Sequence, residues 1–161
     1  MIDKRWLQQQ VLDRLAADLQ QTEQAALTAH ETATHEENIA ENKYDTLGLE
    51  AAYLATGQAR RAQAMRQALA QWQQFRPCPY DAGQGIQLGA RVCLVDDDDR
   101  RQWVFLGPAG GSMKLACGDQ AVQVISADAP LGQALLGKCV GDDVSVEVPP
   151  QRLNFEVLQV D

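Results

Sequence analysis

Hydrophobic and small residues recur at alternating intervals of three and four through the first 75 residues of the chain. One run of this kind is Leu12, Leu15, Leu19, Thr22, Ala26, Ala29 and Ala33. The second has polar residues at two of its positions, Gln58 and Arg61, and consists of Ala51, Leu54, Gln58, Arg61, Met65, Ala68, Trp72 and Phe75. Such heptad spacing is typical of helices that pack along one seam. The pattern predicts two long helices, of which the first, over residues 4–37, would be about 50 Å long.

The sizes of the seam residues predict how these two helices pair. In the first run the side chains shrink from Leu12 toward Ala33, whereas in the second the bulky Trp72 and Phe75 come last. Large residues face large ones only if the helices run antiparallel, so we expect a hairpin within one chain and a monomer. A dimerising coiled coil is the alternative, with lower weight because both arms are present in one chain.

The composition changes near residue 76. Residues 77–161 contain all six prolines and ten of the twelve glycines, together with β-branched runs. We expect a hairpin over 1–76, a linker over 77–85 and a β-rich domain over 86–161, which makes the fold class α+β. The predicted elements of this last domain are a short helix at 131–136 and mostly antiparallel strands at 86–95, 102–106, 112–116, 122–125, 143–148 and 154–160.

The net charge of −8 limits the classes of partner. Contacts with nucleic-acid phosphates need Lys and Arg, so a protein partner with a basic surface is favoured over direct nucleic-acid binding. No apolar run is long enough to cross a membrane and the polar N-terminus is no signal peptide, so a cytoplasmic location is expected. The four cysteines lack close pairs, which favours reduced thiols over a zinc site.

Acidic residues concentrate where the two predicted helices meet. Between Asp18 and Glu50 there are eight acids and one base, Lys43, and the predicted tip lies near residues 36–46. Glu37, Glu41 and Asp45 are spaced by four, which could place each neighbouring pair on one helical face. Such carboxylates are suitable oxygen ligands for Mg²⁺, although a partner would have to complete the site. A solvated bend is the simpler alternative.

Two segments carry a resemblance to a known family. SADAPLGQALLGKCVGDDVSV, residues 126–146, resembles the C-terminal signature of the bacterial Gre-type transcript-cleavage factors, the GreA/GreB family. AENKYD resembles the Glu-Asn-x-x-Tyr at the tip of that family's hairpin, with Glu41 as its glutamate. The chain is thus similar to these factors as a divergent paralogue. The matching signature residues are Ser126, Pro130, Leu131, Gly132, Leu135, Leu136, Gly141 and Asp142, while Ala129 replaces a serine.

The resemblance implies an architecture and an activity. Such factors have an antiparallel coiled coil followed by an FKBP-like domain, which docks on RNA polymerase through a loop that maps to Asp128, Ala129 and Pro130. The coiled coil enters the secondary channel and stimulates cleavage of backtracked RNA by the polymerase, with a second Mg²⁺ shared between the two proteins. The factor has no stand-alone enzymatic activity and meets the RNA 3′ end only inside the polymerase. Glu41 maps to the catalytic glutamate.

Two departures from the family pattern leave alternatives open. The family's aspartate, three residues before the glutamate, falls on the neutral Asn38, and Glu-Asn-Lys-Tyr is one residue shorter than the motif. Either Glu37 or Asp45 would have to supply the second carboxylate and metal ligand. The alternative function is a secondary-channel regulator that does not cleave. A prolyl isomerase ranks lowest, because few aromatic residues are available to line a pocket.

Overall fold

The computed structural model describes residues 3–39, 47–109 and 113–161, and of residues 36–39 and 47–51 it gives the backbone. Two long helices come first, and a mixed α and β segment follows, which confirms the predicted α+β class. The described elements are α1 (Lys4–Ile39), α2 (Leu47–Gln74), β1 (Arg91–Asp96), β2 (Arg101–Gly107), β3 (Met113–Cys117), β4 (Gln120–Ser126), α3 (Pro130–Leu135), β5 (Asp143–Val148) and β6 (Gln151–Val160).

The chain divides into two compact units. One consists of Asp13–Ala70, and the other combines Met1–Leu12 with Gln71–Asp161. This division cuts both long helices, because the first turns of α1 and the last turn of α2 group with the β-sheet. The predicted boundaries of 1–76, 77–85 and 86–161 followed the change in composition instead.

The unit of residues 13–70 is an antiparallel helix pair, as predicted. The Oγ1 atom of Thr22 on α1 lies 3.4 Å from the Sδ atom of Met65 on α2. One residue further along each helix, the Arg66 guanidinium contacts Glu23 Oε1 at 2.9 Å. Of the predicted α1 seam, Leu15, Thr22, Ala29 and Ala33 are buried.

The seam of α2 differs in phase from the prediction. Gln58 and Met65 are half-buried as expected, but Leu54 is 57% exposed and Arg61 is exposed. The intervening seam positions lie one residue later, at Ala55 and Ala62. Small side chains at these positions let the helix backbones approach, and an arginine does not, which explains the shift.

The six described strands form one sheet in the order β3-β4-β2-β1-β6-β5. All neighbours are antiparallel except β2 and β4, which pair in parallel from Trp103–Val122 to Gly107–Ser126. The first strand begins at Arg91 rather than at residue 86, because the chain turns at Gly89, whose φ is +89°. The other predicted strands overlap the observed ones.

Apolar side chains pack on both faces of the sheet. One face carries a continuous buried cluster that includes Val92, Leu94 and Leu106, together with Leu135 of α3. On the other face, the Trp72 ring packs 5.9 Å from the ring of Phe105, and both are fully buried. The contact between Trp72 and Phe105 therefore joins the end of α2 to the sheet within one unit.

Trp72 is fixed by its polar atom as well as by its ring. Its Nε1 donates a hydrogen bond of 2.8 Å to the carbonyl oxygen of Ala109, so the buried indole N–H is satisfied. Its backbone carbonyl accepts a hydrogen bond from Gln8 Nε2 at 2.7 Å, and the same amide donates to Phe75 O at 2.8 Å. Gln8 of α1 thereby satisfies two carbonyl groups at the end of α2, which have no partner within their own helix.

Candidate functional site

The predicted acidic tip lies at the connection between the two long helices. Glu37 belongs to α1, and its side chain is outside the described part. Glu41 and Asp45 fall within residues 40–46, which also lie outside it. Because α1 and α2 run antiparallel, both helices reach this connection at the same end of their unit. The pairing of these three carboxylates stays a prediction.

The metal site predicted at this tip depends on the same residues. Within residues 3–39, 47–109 and 113–161, no group of three or more His, Cys, Asp or Glu side chains is placed to hold a metal ion. The prediction of a shared Mg²⁺ therefore rests on Glu37, Glu41 and Asp45.

The side chains between the two helices are mostly small toward this end of the pair. A groove of about 550 Å³ runs between α1 and α2, and it is lined mainly by alanine and threonine. Since the distance between packed helices depends on the side chains at their contact, these residues allow a narrow pair. The lining residues are Ala26, Leu27, His30, Ala33, Thr34, Ala52, Ala55, Thr56 and Ala59.

The predicted docking residues lie together on the turn between β4 and α3. Ser126 Oγ accepts a hydrogen bond from the Asp128 backbone N–H at 3.2 Å, and Ser126 O accepts one from Ala129 N–H at 3.0 Å. Pro130 opens α3, where a missing N–H costs nothing. Asp128 and Pro130 are exposed and Ala129 is half-buried. The three residues therefore form one ordered surface turn.

Packing explains why the signature around this turn is so specific. A Cβ atom on Gly132 would lie 2.3 Å from Ser126 O, so only glycine fits there. Leu135 is fully buried, and Leu131 packs against the same core. Further along, Asp142 Oδ2 accepts the Cys139 N–H at 2.8 Å, and Gly141 has a φ of +90°. These residues hold the turn in place, while Asp128 and Pro130 remain accessible.

Comparison with known proteins gives this turn and its domain a family. Residues 82–161 match the family model described as transcription elongation factor, GreA/GreB, C-term. This C-terminal part of the chain belongs to the GreA/GreB family.

Individual GreA proteins are similar to part of this chain. The chain is 33% identical to transcription elongation factor GreA of Desulfovibrio desulfuricans over 111 residues, which are 63% of this chain and 64% of that protein. It is 35% identical to transcription elongation factor GreA of Rhizobium etli over 83 residues, which are 49% of this chain and 47% of that protein. These matches thus span less than two thirds of either relative. The crystal structure of Gfh1 from Thermus thermophilus shares 26% identity over 93% of this chain and 94% of that one, with a TM-score of 0.38.

A buried ion pair in the GreA/GreB domain was not predicted. Arg91 is 3% exposed, its Nε donates to Asp161 Oδ2 at 2.8 Å, and its guanidinium lies 4.4 Å from the ring centroid of Trp103. Burial alone would raise the pKa of Asp161, but the hydrogen bond and positive charge of Arg91 hold it below its ordinary value. The signal in the sequence was an arginine directly before the apolar run VCLV.

This pair makes the stability of the domain sensitive to acid. Because the pKa of Asp161 is lower in the folded state than in the unfolded state, the pair stabilises the fold above about pH 4 and is lost as the pH falls through the folded-state pKa. Asp161→Asn should remove this part of the pH dependence and cost about 2 kcal/mol at pH 7. Urea unfolding at pH 7 and pH 3 measures both effects. The exposed Asp128→Asn is the control, and equal pH dependence in wild type and Asp161→Asn would contradict the assignment.

No helix in the described part of the chain combines the length and the apolar character required to cross a membrane.

Proposed function

We propose that this chain is a transcription elongation factor that binds RNA polymerase, inserts its helix pair into the secondary channel and stimulates Mg²⁺-dependent cleavage of backtracked RNA. The observation that carries the proposal is the family match of residues 82–161 in a chain whose antiparallel helices meet at a connection rich in carboxylates. The chain acts as a monomer and has no hydrolytic activity of its own.

The turn between β4 and α3 supplies the contact with the polymerase. Asp128, Ala129 and Pro130 lie on an accessible turn that is held by hydrogen bonds. The turn therefore loses little conformational entropy when a partner binds it. The Asp128 carboxylate provides a negative charge that suits a basic surface on the partner. This contact holds the factor while the helix pair reaches the catalytic centre.

The helix connection supplies the carboxylates. Glu41 carries the activity, and either Glu37 or Asp45 provides the second carboxylate. Carboxylate oxygens fit Mg²⁺, which prefers oxygen ligands. Two carboxylates are too few to hold the ion alone, which is consistent with an ion that is shared with the polymerase. Once bound, the ion would lower the pKa of a water molecule that attacks the RNA. The small residues lining the groove let the helix pair enter a narrow opening.

The test is RNA-fragment release from stalled, backtracked elongation complexes supplied with Mg²⁺. We expect added protein to accelerate the release of short 3′ fragments. Complexes that have not backtracked, and naked RNA without polymerase, are the controls and should release none. A rate equal to that of polymerase alone would remove the cleavage function.

A second function is favoured by one specific observation. Asn38 is neutral where the family resemblance places an aspartate, and Glu-Asn-Lys-Tyr is one residue short. A tip with an incomplete carboxylate pair would occupy the channel without activating water. This regulator would compete with a cleaving factor for the polymerase and release no fragments. Adding this protein together with a cleaving factor to one backtracked complex separates the two functions. Only a regulator that does not cleave lowers the rate at which the cleaving factor releases RNA fragments.

A further inference from the structure

A cavity of about 1070 Å³ lies where the start of α1, the segment after α2 and the end of β6 come together in one unit. Apolar groups form much of its wall, and three cationic side chains also line it. Its size suits a small organic molecule. The lining residues are Asp3, Lys4, Arg5, Gln8, Arg76, Pro77, Cys78, Pro79, Tyr80, Val160 and Asp161.

The cations converge on this cavity from two segments. Lys4 Nζ donates to Cys78 O at 3.0 Å, which holds the ammonium group against the wall. The Arg76 guanidinium donates to Phe75 O and Gln73 O at 3.0 Å each, through one of its nitrogens. The Arg5 guanidinium has no hydrogen-bond or ion-pair partner among the described residues. Donors therefore remain available on the two arginines.

The two carboxylates of the lining are already engaged. Asp3 Oδ1 accepts the Arg5 backbone N–H at 2.9 Å, as a cap of α1 does. Asp161 is bound by Arg91, whose charge balances it. In a chain of net charge −8, this cavity is thus a locally cationic site. Burial lowers the pKa of Lys4 and Arg91 adds to the effect, whereas Asp161 and Cys78 oppose it, so a bound anion would favour the charged amine.

We propose that this cavity binds a small ligand bearing two or more phosphate groups, held by Arg5, Arg76 and Lys4. Guanidinium groups bind phosphate through paired hydrogen bonds, and an ammonium group adds a point charge. Pro77, Pro79 and Tyr80 offer an apolar wall to whatever group the phosphates carry. The site goes beyond the proposed function and does not rest on it.

Isothermal titration of the full chain with pyrophosphate and with ADP tests the site. We expect saturable binding at one site, weakened about tenfold by Arg5→Glu. Arg60→Glu is the matched control, because Arg60 is exposed on α2 outside the cavity and the change in net charge is the same. Tighter binding of ADP than of pyrophosphate supports a nucleotide ligand, and equal binding supports a ligand recognised by its phosphates alone.

Backbone amide shifts in the NMR spectrum locate the bound probe. We expect changes at Lys4, Arg5, Cys78 and Tyr80 and none at Arg60. Thermal unfolding of Arg5→Glu checks that this variant is folded, and it should match wild type because the Arg5 side chain has no partner to lose. The site is overturned if neither probe binds saturably, or if Arg5→Glu and Arg60→Glu weaken binding equally.

Discussion

Alanine at position 41 is expected to reduce the stimulation of RNA cleavage about 100-fold, because a metal site with so few carboxylates does not tolerate the loss of one. The proposed function gives Glu41 the central role among the acids of the helix connection. The measurement is the initial rate of fragment release from backtracked complexes at saturating protein. Binding of Glu41→Ala to the polymerase should be unchanged, since the proposed docking turn lies in the other unit.

Glu31→Ala is the matched control for this variant. Glu31 is an exposed acid of α1, so its replacement removes the same charge from the same arm of the hairpin. The cleavage rate should stay at the wild-type value. A wild-type rate in Glu41→Ala, or an equal loss in both variants, would contradict the role of Glu41. Glu37→Gln and Asp45→Asn in the same assay decide which second carboxylate acts, because only the loss of that residue lowers the rate.

Gly107→Ala is expected to destabilise the protein by about 3 kcal/mol, because overpacking a well-filled core forces side chains out of position. A Cβ atom on Gly107 would lie 2.1 Å from Cζ2 and 2.5 Å from Cη2 of Trp72. The ring is fully buried and its Nε1 is bound to Ala109 O, so it cannot turn away without losing a hydrogen bond. Urea unfolding followed by circular dichroism gives the free energy of unfolding.

Gly57→Ala is the opposite case and serves as the control. Gly57 lies within α2, and a Cβ atom there would meet nothing within 4 Å. Alanine should therefore stabilise the chain by about 0.5–1 kcal/mol, through its higher helix propensity. If Gly107→Ala unfolded at the wild-type urea concentration, the close approach of Trp72 to this strand would be wrong.

The helix pair was predictable because its heptad spacing is a local signal repeated over many turns. The choice between neighbouring positions was not. A stripe through Leu54 and Arg61 and one through Ala55 and Ala62 fit the same spacing almost equally well, and only packing against α1 selects the second. Leucine therefore points outward at position 54, against its usual preference for the core.

The strands were predictable from β-branched runs, but their order was not. Alternation along a strand reports which side chains share a face, and it does not report the direction of the neighbouring strand. The parallel pairing of β2 with β4 is therefore absent from the local pattern. Similarly, Arg91 finds its partner 70 residues away in Asp161, so no window of sequence around Arg91 contains the reason for its burial.

The candidate site also has one part that was predictable from the sequence and one part that was not. The turn at Asp128 and Pro130 was predictable because Pro130 marks the start of α3, Gly132 allows a close backbone approach and the apolar residues around the turn fill one core. The carboxylate pair was not, since two acids spaced by four share a face only if the backbone between them is helical. Glu41 and Asp45 lie outside the described residues, so that condition stays a prediction.

The division of the chain into units has a consequence for the order of folding. The unit that holds the sheet is assembled from residues 1–12 and 71–161, so residues 13–70 form an insertion within it. Bringing two distant chain segments together costs entropy that grows with the length of the intervening loop. If α1 pairs with α2 first, the effective length of that loop is shorter when the strands form. We therefore expect the helix pair to act as a folding nucleus, and the sheet to close last, when β6 inserts between β1 and β5.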